Sequence, residues 1–333
     1  MAYINSIEYY LPNKSLSNKK ISLEFPEWNV EKISSKTGIF ERFIADENEF
    51  ASDMAIKAAN KIFKKNKYDK KLIDFFIYCT QSPDYLIPTT SCIIQDKLDL
   101  NKVGAFDFNL GCSGYIYGLS IAKGLISAGI ATNILFITSE TYSKFLNPKD
   151  KSNRTIFGDA ASASIITKEK GICKIGNFQL GSDGSGFDNL IVKSSGVKGS
   201  KINNGLEKID EFDNISSDRD LYMNGPAIFN FTGEFVPKLI YQYLEKNKIS
   251  INEIDFFVFH QANKFMLNYL RKKIKIPKEK FIIELKNCGN TVSSTIPIAL
   301  ANIQEKNKLK PGSKVLLVGF GVGYSWGATL LNF

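Results

Sequence analysis

Short apolar runs, amphipathic stretches and glycine turns follow one another along this chain in a regular order. The segments Ile73–Tyr78, Ile134–Ile137, Ile254–Phe259 and Val315–Val318 are almost wholly apolar, as strands covered on both faces are. Residues 52–65, 90–98, 226–247 and 263–274 instead carry apolar positions at helical spacing. Met54, Ala58, Ala59, Ile62 and Phe63 form the stripe of the first, with Ser52 or Asp53 as its cap. Phe265, Met266, Tyr269, Leu270 and Ile274 form the stripe of the last. A further strand is expected from Tyr3 to Leu11, closed by Pro12, and Thr37–Arg42 reads as a turn into a short strand. Phe106 and Phe108 alternate with Asp107 and Asn109, and a small-residue turn then leads into a mostly apolar helix from Tyr115 to Ile130. Residues 183–222 are polar and read as loops and edge structure.

The apolar runs repeat. Ile73-Asp74-Phe75-Phe76-Ile77-Tyr78 resembles Ile254-Asp255-Phe256-Phe257-Val258-Phe259, and Ile134–Ile137 resembles Val315–Val318, both at an offset of 181 residues (254 − 73 and 315 − 134). Each copy of the first strand has a helix before it and another after it. An interval of this length marks a duplicated domain, not a solenoid unit. The expected fold is α/β, with two duplicated βαβαβ-type halves, 1–170 and 171–333, packed in αβαβα layers around a largely parallel sheet. No Pro- or Gly-rich linker separates the halves, so they are expected to share a core.

Composition narrows the class. With 333 residues, 44% hydrophobic and 23% charged, the chain resembles an ordinary soluble globular protein. No apolar run approaches the ~20 residues of a membrane span, and the first residues lack the pattern of a secretory signal. Five scattered cysteines with no C-x-x-C pair argue against a disulfide framework or a structural zinc and point to a reducing cytoplasm. The net charge of +9 leaves an acidic protein partner open. It is carried almost entirely by Lys, with Arg only at 42, 154, 219 and 271, which disfavours nucleic acid. His260 is the one histidine, so two-histidine metal motifs are excluded.

Three turns carry residues with chemistry. In Gly111-Cys112-Ser113-Gly114 the thiol stands where a helix begins, a place that stabilises negative charge and lowers a thiol pKa; a buried structural cysteine is the alternative. His260 follows the strand Phe256–Phe259, at the strand end where such sheets gather ligands; a satisfied core histidine is the alternative. Gly289-Asn290 occupies in the second half the place of the Cys112 turn in the first, 36 residues after Ile254 (290 − 254) against 39 after Ile73 (112 − 73). It is also an ordinary turn pair, and Cys288 beside it is a competing thiol that precedes its glycine. Gly319-Phe320-Gly321-Val322-Gly323 lacks the lysine and long helix of a phosphate loop. Its other reading is an irregular loop with backbone N–H groups aimed into a cleft.

Together these stretches carry a family resemblance. Gly111–Gly114, His260-Gln261-Ala262-Asn263, Gly289-Asn290-Thr291 and Gly319–Gly327 resemble the motifs of the thiolase-fold condensing enzymes, in particular β-ketoacyl-acyl-carrier-protein synthase III. Thr37–Ala45 and Phe157–Ala163 add to the match, and the order holds from residue 3 to 333. The resemblance implies that Cys112 takes an acyl group from an acyl thioester and that malonyl-acyl carrier protein then enters. His260 and Asn290 stabilise the enolate formed as CO₂ leaves, and the carbanion attacks the acyl-Cys112 to give a 3-oxoacyl product. It implies an oxyanion hole at the amides of Cys112 and Val322, shielded by Phe320. It further implies a cytoplasmic homodimer that needs no metal or organic cofactor, in fatty-acid or related lipid synthesis.

The same resemblance places Trp28, Lys36 and Lys151 on the pantetheine path, the two lysines standing where arginines are usual. Phe265 and Asn230 replace basic carrier-docking positions, for which Lys264, Arg271, Lys272 and Lys273 are substitutes; a solvated helix face is the plain alternative for these four. Ile87 replaces a Phe that a dimer partner inserts into the acyl pocket, so the primer need not be acetyl. The competing functions are a same-fold acyltransferase acting on an amine or alcohol, an inactive partner subunit and a papain-like Cys-His-Asn hydrolase. The last two are disfavoured, because all three groups are retained and each lies at a strand end of a duplicated chain.

Overall fold

The fold was obtained as a computed structural model and is described for residues 1–199, 205–209 and 214–333. Positions 200–204 and 210–213 of the polar 183–222 segment lie outside the described residues. Ten strands form the main sheet: β1 (Tyr3–Tyr10), β2 (Phe75–Cys79), β3 (Gly104–Phe108), β4 (Asn133–Glu140), β5 (Ala160–Thr167), β6 (Cys173–Ser182), β7 (Phe256–Phe259), β8 (Phe281–Ile282), β9 (Lys314–Gly321) and β10 (Ser325–Asn332). Six helices cover it: α1 (Ala51–Lys65), α2 (Thr90–Lys97), α3 (Gly114–Ser127), α4 (Gly225–Asn247), α5 (Lys264–Ile274) and α6 (Thr295–Glu305).

The spatial order is β8-β7-β9-β10-β6-β1-β5-β4-β2-β3. It consists of two five-stranded sets with the same internal order, joined edge to edge where β1 meets β6 through only Tyr3↔Lys174 and Ile4↔Cys173. The 181-residue offset survives as register: Phe75 faces Ile134 across β2 and β4, and Phe256 faces Val315 across β7 and β9. Only the pairs β2–β3, β2–β4, β7–β8 and β7–β9 are parallel. The expectation of a largely parallel sheet is corrected. Continuous apolar runs report cover on both faces, which these strands have whichever way they run.

Strand alternation builds the layers. Ile77, Ile134, Phe136, Val258, Val315 and Leu317 point inward onto Tyr115, Ile116 and Leu119 of α3 and Ile296, Ala299 and Leu300 of α6. Their neighbours Phe76, Tyr78, Leu135 and Ile137 face outward onto α1 and α2. Phe257, Phe259, Leu316 and Val318 likewise face α4 and α5. The result is helix, sheet, helix, sheet, helix, with α3 and α6 as the buried middle layer. Burying one Leu-sized side chain in such a layer is worth about 1.5–3 kcal/mol. One cap differs from expectation: α1 begins at Ala51, and Asp53 sits inside the first turn, where its carboxylate accepts the Phe50 N–H at 3.0 Å.

Candidate active site

The two middle helices begin side by side, and the turns that lead into them carry the Cys112 thiol and the Asn290 amide. Gly111 and Gly114 let the Cys112 turn close; a Cβ on Gly111 would meet Val322 Cγ1 at 2.8 Å. Gly289, at φ +72°, turns the chain so that Asn290 N–H donates to the Ile156 carbonyl (2.9 Å) and Gly158 N–H to the Asn290 carbonyl (3.0 Å). Only glycine fits there, since a Cβ would lie 2.8 Å from the Ile156 oxygen. His260, directly after β7, is held by its own N–H, which donates to the Val318 carbonyl at 2.8 Å.

Cys112, His260, Asn290, Phe320 and Val322 line one cavity of about 170 Å³, together with apolar Ile156, Phe157, Leu190, Met223 and Ile228. The Gly319–Gly323 run is the end of β9 and the tight connection to β10, not an irregular loop. Its glycines pair in register, Gly319 with Gly327 and Gly321 with Ser325. They are needed for close approach: a Cβ on Gly321 would lie 2.7 Å from Cys112 Cβ and 2.8 Å from its Sγ. Phe320 is buried and meets His260 edge to face, at 5.6 Å between centroids.

The electrostatics differ from the sequence expectation at Cys112. Burial pushes its thiol up to about 12, outweighing the Val322 and Cys112 amides, which pull it down. The helix start does not prevail, because α3 begins only at Gly114 and the sulfur is enclosed. Burial likewise pushes His260 down to about 3. At neutral pH the resting pair is a thiol and a neutral imidazole.

Hydrogen bonds orient the other groups. Val292 N–H donates to Asn290 Oδ1 at 2.9 Å, which leaves the Asn290 amide NH₂ as the outward donor. Thr295 Oγ1 lies 2.8 Å from His260 Nδ1 and donates to the Val292 carbonyl at 3.0 Å. Its single proton being used there, Nδ1 carries the hydrogen and Nε2 the lone pair. Val292 therefore serves both side chains through its own backbone. It does so at φ +53°, an uncommon conformation for a β-branched residue. Sequence reading had no signal for Val292 or Thr295, which look like ordinary members of a small-residue helix start.

The remaining expected residues lie elsewhere. Trp28 and Lys36 meet outside the cavity, with Lys36 Nζ 5.4 Å from the indole centroid, and Lys151 pairs with Glu27 at 3.3 Å beside them. Ile87 is 89% exposed and does not line the cavity of its own chain. Lys264, Arg271 and Lys272 border one groove, whereas Lys273 turns to the Tyr269 hydroxyl at 3.2 Å. Phe265 stacks on Phe229, 5.6 Å between centroids, on the surface joining α4 and α5.

A thiol, an imidazole and an amide converging from two repeated units, with an apolar cavity between them, define an acyltransferase of the thiolase-fold condensing class. Comparison with known proteins agrees. The pattern described as 3-oxoacyl-[acyl-carrier-protein (ACP)] synthase III matches residues 106–184, and its C-terminal counterpart matches 244–333. The chain is 38% identical over 324 residues to beta-ketoacyl-[acyl-carrier-protein] synthase III of Clostridium perfringens, covering 97% of this chain and 96% of that one. The Fusobacterium nucleatum protein of the same name is 36% identical over 334 residues, 99% and 98% of the two chains. A crystal structure of 3-oxoacyl-(acyl-carrier-protein) synthase III superposes with TM-score 0.97 at 46% identity over 100% and 99% of the chains. That of Aquifex aeolicus superposes with TM-score 0.85 at 30% identity over 100% of both. The chain belongs to the β-ketoacyl-[acyl-carrier-protein] synthase III family.

Proposed function

We propose that this protein acylates Cys112 from an acyl thioester and then condenses that acyl group, with loss of CO₂, with malonyl-acyl carrier protein. The observation that carries the reading is the Asn290 amide, aimed by Val292 into the cavity that holds Cys112. Plain transfer to an amine or alcohol has little use for such a donor.

In the first half-reaction Cys112 sulfur attacks the thioester carbonyl, and the C–S bond to the leaving thiol breaks. His260 Nε2 takes the Cys112 proton and returns it to the departing thiolate. The amides of Cys112 and Val322, which already act on the sulfur, hold the oxyanion. In the second, the malonyl C–C bond breaks and the charge moves onto the thioester oxygen, facing the Asn290 NH₂. His260 is the second donor in its other neutral tautomer: Nε2 takes a proton from solvent, Nδ1 releases one to solvent, and the Thr295 hydroxyl rotates from the Val292 carbonyl to donate to Nδ1. The enolate carbon then attacks the acyl carbonyl, and Cys112 leaves as thiolate and regains a proton from solvent. Phe320 covers the imidazole and limits access of water. Neither half-reaction requires a metal or an organic cofactor.

The finer assignments follow from the same reading. The chain divides near residue 170 into two duplicated halves. Trp28, Lys36 and Lys151 bind the pantetheine and phosphate end of the donor, and Lys264, Arg271, Lys272 and Lys273 meet the acidic carrier. Tyr85, Leu86 and Ile87, exposed at 62%, 72% and 89%, are the apolar loop a second copy covers in a homodimer. Five unpaired cysteines suit a reducing cytoplasm. The test is intact-mass analysis with acyl-CoA, followed by malonyl thioester. Cys112→Ala should form no acyl adduct, and Asn290→Ala should hold the adduct but make no 3-oxoacyl product. An adduct persisting in Cys112→Ala refutes the assignment.

A further inference from the structure

Glu140, the last residue of β4, is fully buried and takes no part in the chemistry above. Among the described residues no cation pairs with it; its neighbours are neutral donors. Oε1 accepts the Ser293 hydroxyl at 2.7 Å, and Oε2 accepts the Gln81 N–H at 3.0 Å and the Ser82 hydroxyl at 3.2 Å. The Ser82 oxygen in turn accepts the Thr141 N–H at 3.2 Å, so its own proton is free for the carboxylate. Burial raises the Glu140 pKa to about 8, and all three contacts act against that rise.

These partners belong to different parts of the site. Gln81 donates to Asn109 at 3.0 Å and accepts from Tyr142 at 2.5 Å, forming the floor beneath the Cys112 turn. Ser293 shares a peptide group with Val292, whose carbonyl takes the Thr295 hydroxyl and whose N–H holds Asn290. A β-branched residue stays at φ +53° only where its surroundings over-determine it, and the Ser293 contact is the restraint next to it in the chain.

We propose that Glu140 is a positioning residue: through Ser293 it pins the Val292–Ser293 peptide, and so aims Asn290 for condensation. The second oxygen ties the same carboxylate to the floor of the nucleophile turn, so the two half-sites keep a common frame. This inference rests on the condensing reading above, and the unmodified chain tests that reading first, since it must form acyl-Cys112 and decarboxylate malonyl thioester.

The test of Glu140 is then the split between half-reactions. Ser293→Ala should form acyl-Cys112 within about threefold of the parent rate and lose about 10- to 100-fold in malonyl decarboxylation, the cost of leaving one buried acceptor unpaired. Ser293→Thr, which keeps the hydroxyl, should recover most of it. Glu140→Gln presents an NH₂ to groups that are themselves donors and should lose decarboxylation at least as far, with acylation slowed as well through the Gln81 and Ser82 contacts. Combining it with Ser293→Ala should add little, since both changes break one link. Decarboxylation at the parent rate in Ser293→Ala overturns the proposal. So does an equal fall in both half-reactions, which would mark a merely structural contact; if Glu140→Gln does not fold, the two Ser293 variants decide alone.

Discussion

Gly321→Ala is the sharpest probe of how closely the β9–β10 hairpin approaches Cys112. Gly321 lies in a strand without a positive φ, so the backbone accepts alanine and the effect is steric. The new Cβ would lie 2.8 Å from Cys112 Sγ and 2.7 Å from its Cβ, against ordinary contacts of 3.4–4 Å. Cys112 or the hairpin must therefore retreat by roughly 0.6 Å or more. The retreat moves the sulfur away from the Val322 amide at the same time. A misplacement near 1 Å can cost ~100-fold in rate, so acylation should slow about 10- to 100-fold. Overpacking should cost about 1–3 kcal/mol of stability, which leaves the protein folded. The assay is time-resolved intact mass after mixing with acyl-CoA, with thermal melting as the control for folding. Acylation at the parent rate in folded Gly321→Ala would refute the close-approach reasoning.

Three further outcomes are expected. Gly124→Ala lies on the helix that follows the Cys112 turn but meets nothing within 4 Å; it should stabilise by about 0.5–1 kcal/mol and leave acylation unchanged, as melting and the mass assay will show. The single histidine makes NMR unambiguous. His260, held down to about 3 by burial, should show a neutral Nδ1–H ring with no titration from pH 8 to 5, and an inflection near 6.5 refutes this. Because the unfolded chain protonates first, His260 should make stability fall as pH drops below about 6.5 toward 3. Arg42→Met removes a fully buried guanidinium that donates to Asn18 Oδ1 at 2.8 Å and to the Thr155 and Leu16 carbonyls at 2.7 and 3.3 Å. It should cost about 3 kcal/mol or more in urea unfolding, and a loss under about 1 kcal/mol would contradict that role.

Sequence pattern determined much of this protein by itself. The 181-residue repeat specified two copies of one unit, and its residue pairs Phe75–Ile134 and Phe256–Val315 face each other in the structure. Apolar periodicity located the helices, because burial of one face is a local property that recurs with the geometry of the element. Cys112, His260 and Asn290 were legible as candidates because each follows a strand end, and the turn glycines beside two of them mark a sharp change of direction. Tertiary structure decided what periodicity does not encode. Strand direction was one such feature, since a doubly covered strand has the same composition either way. The charge state of Cys112 was another: a helix start argues for thiolate, but enclosure by the Gly321 and Val322 hairpin, two hundred residues on, outweighs it. The aim of Asn290 and His260 was a third. Asn290 is held by the N–H of Val292 at an uncommon backbone conformation, and next to it Ser293 donates to Glu140, 153 positions away. A serine or glutamate that finds such a partner carries no local mark of it, because the hydrogen bond exists only once the two repeated units have packed together.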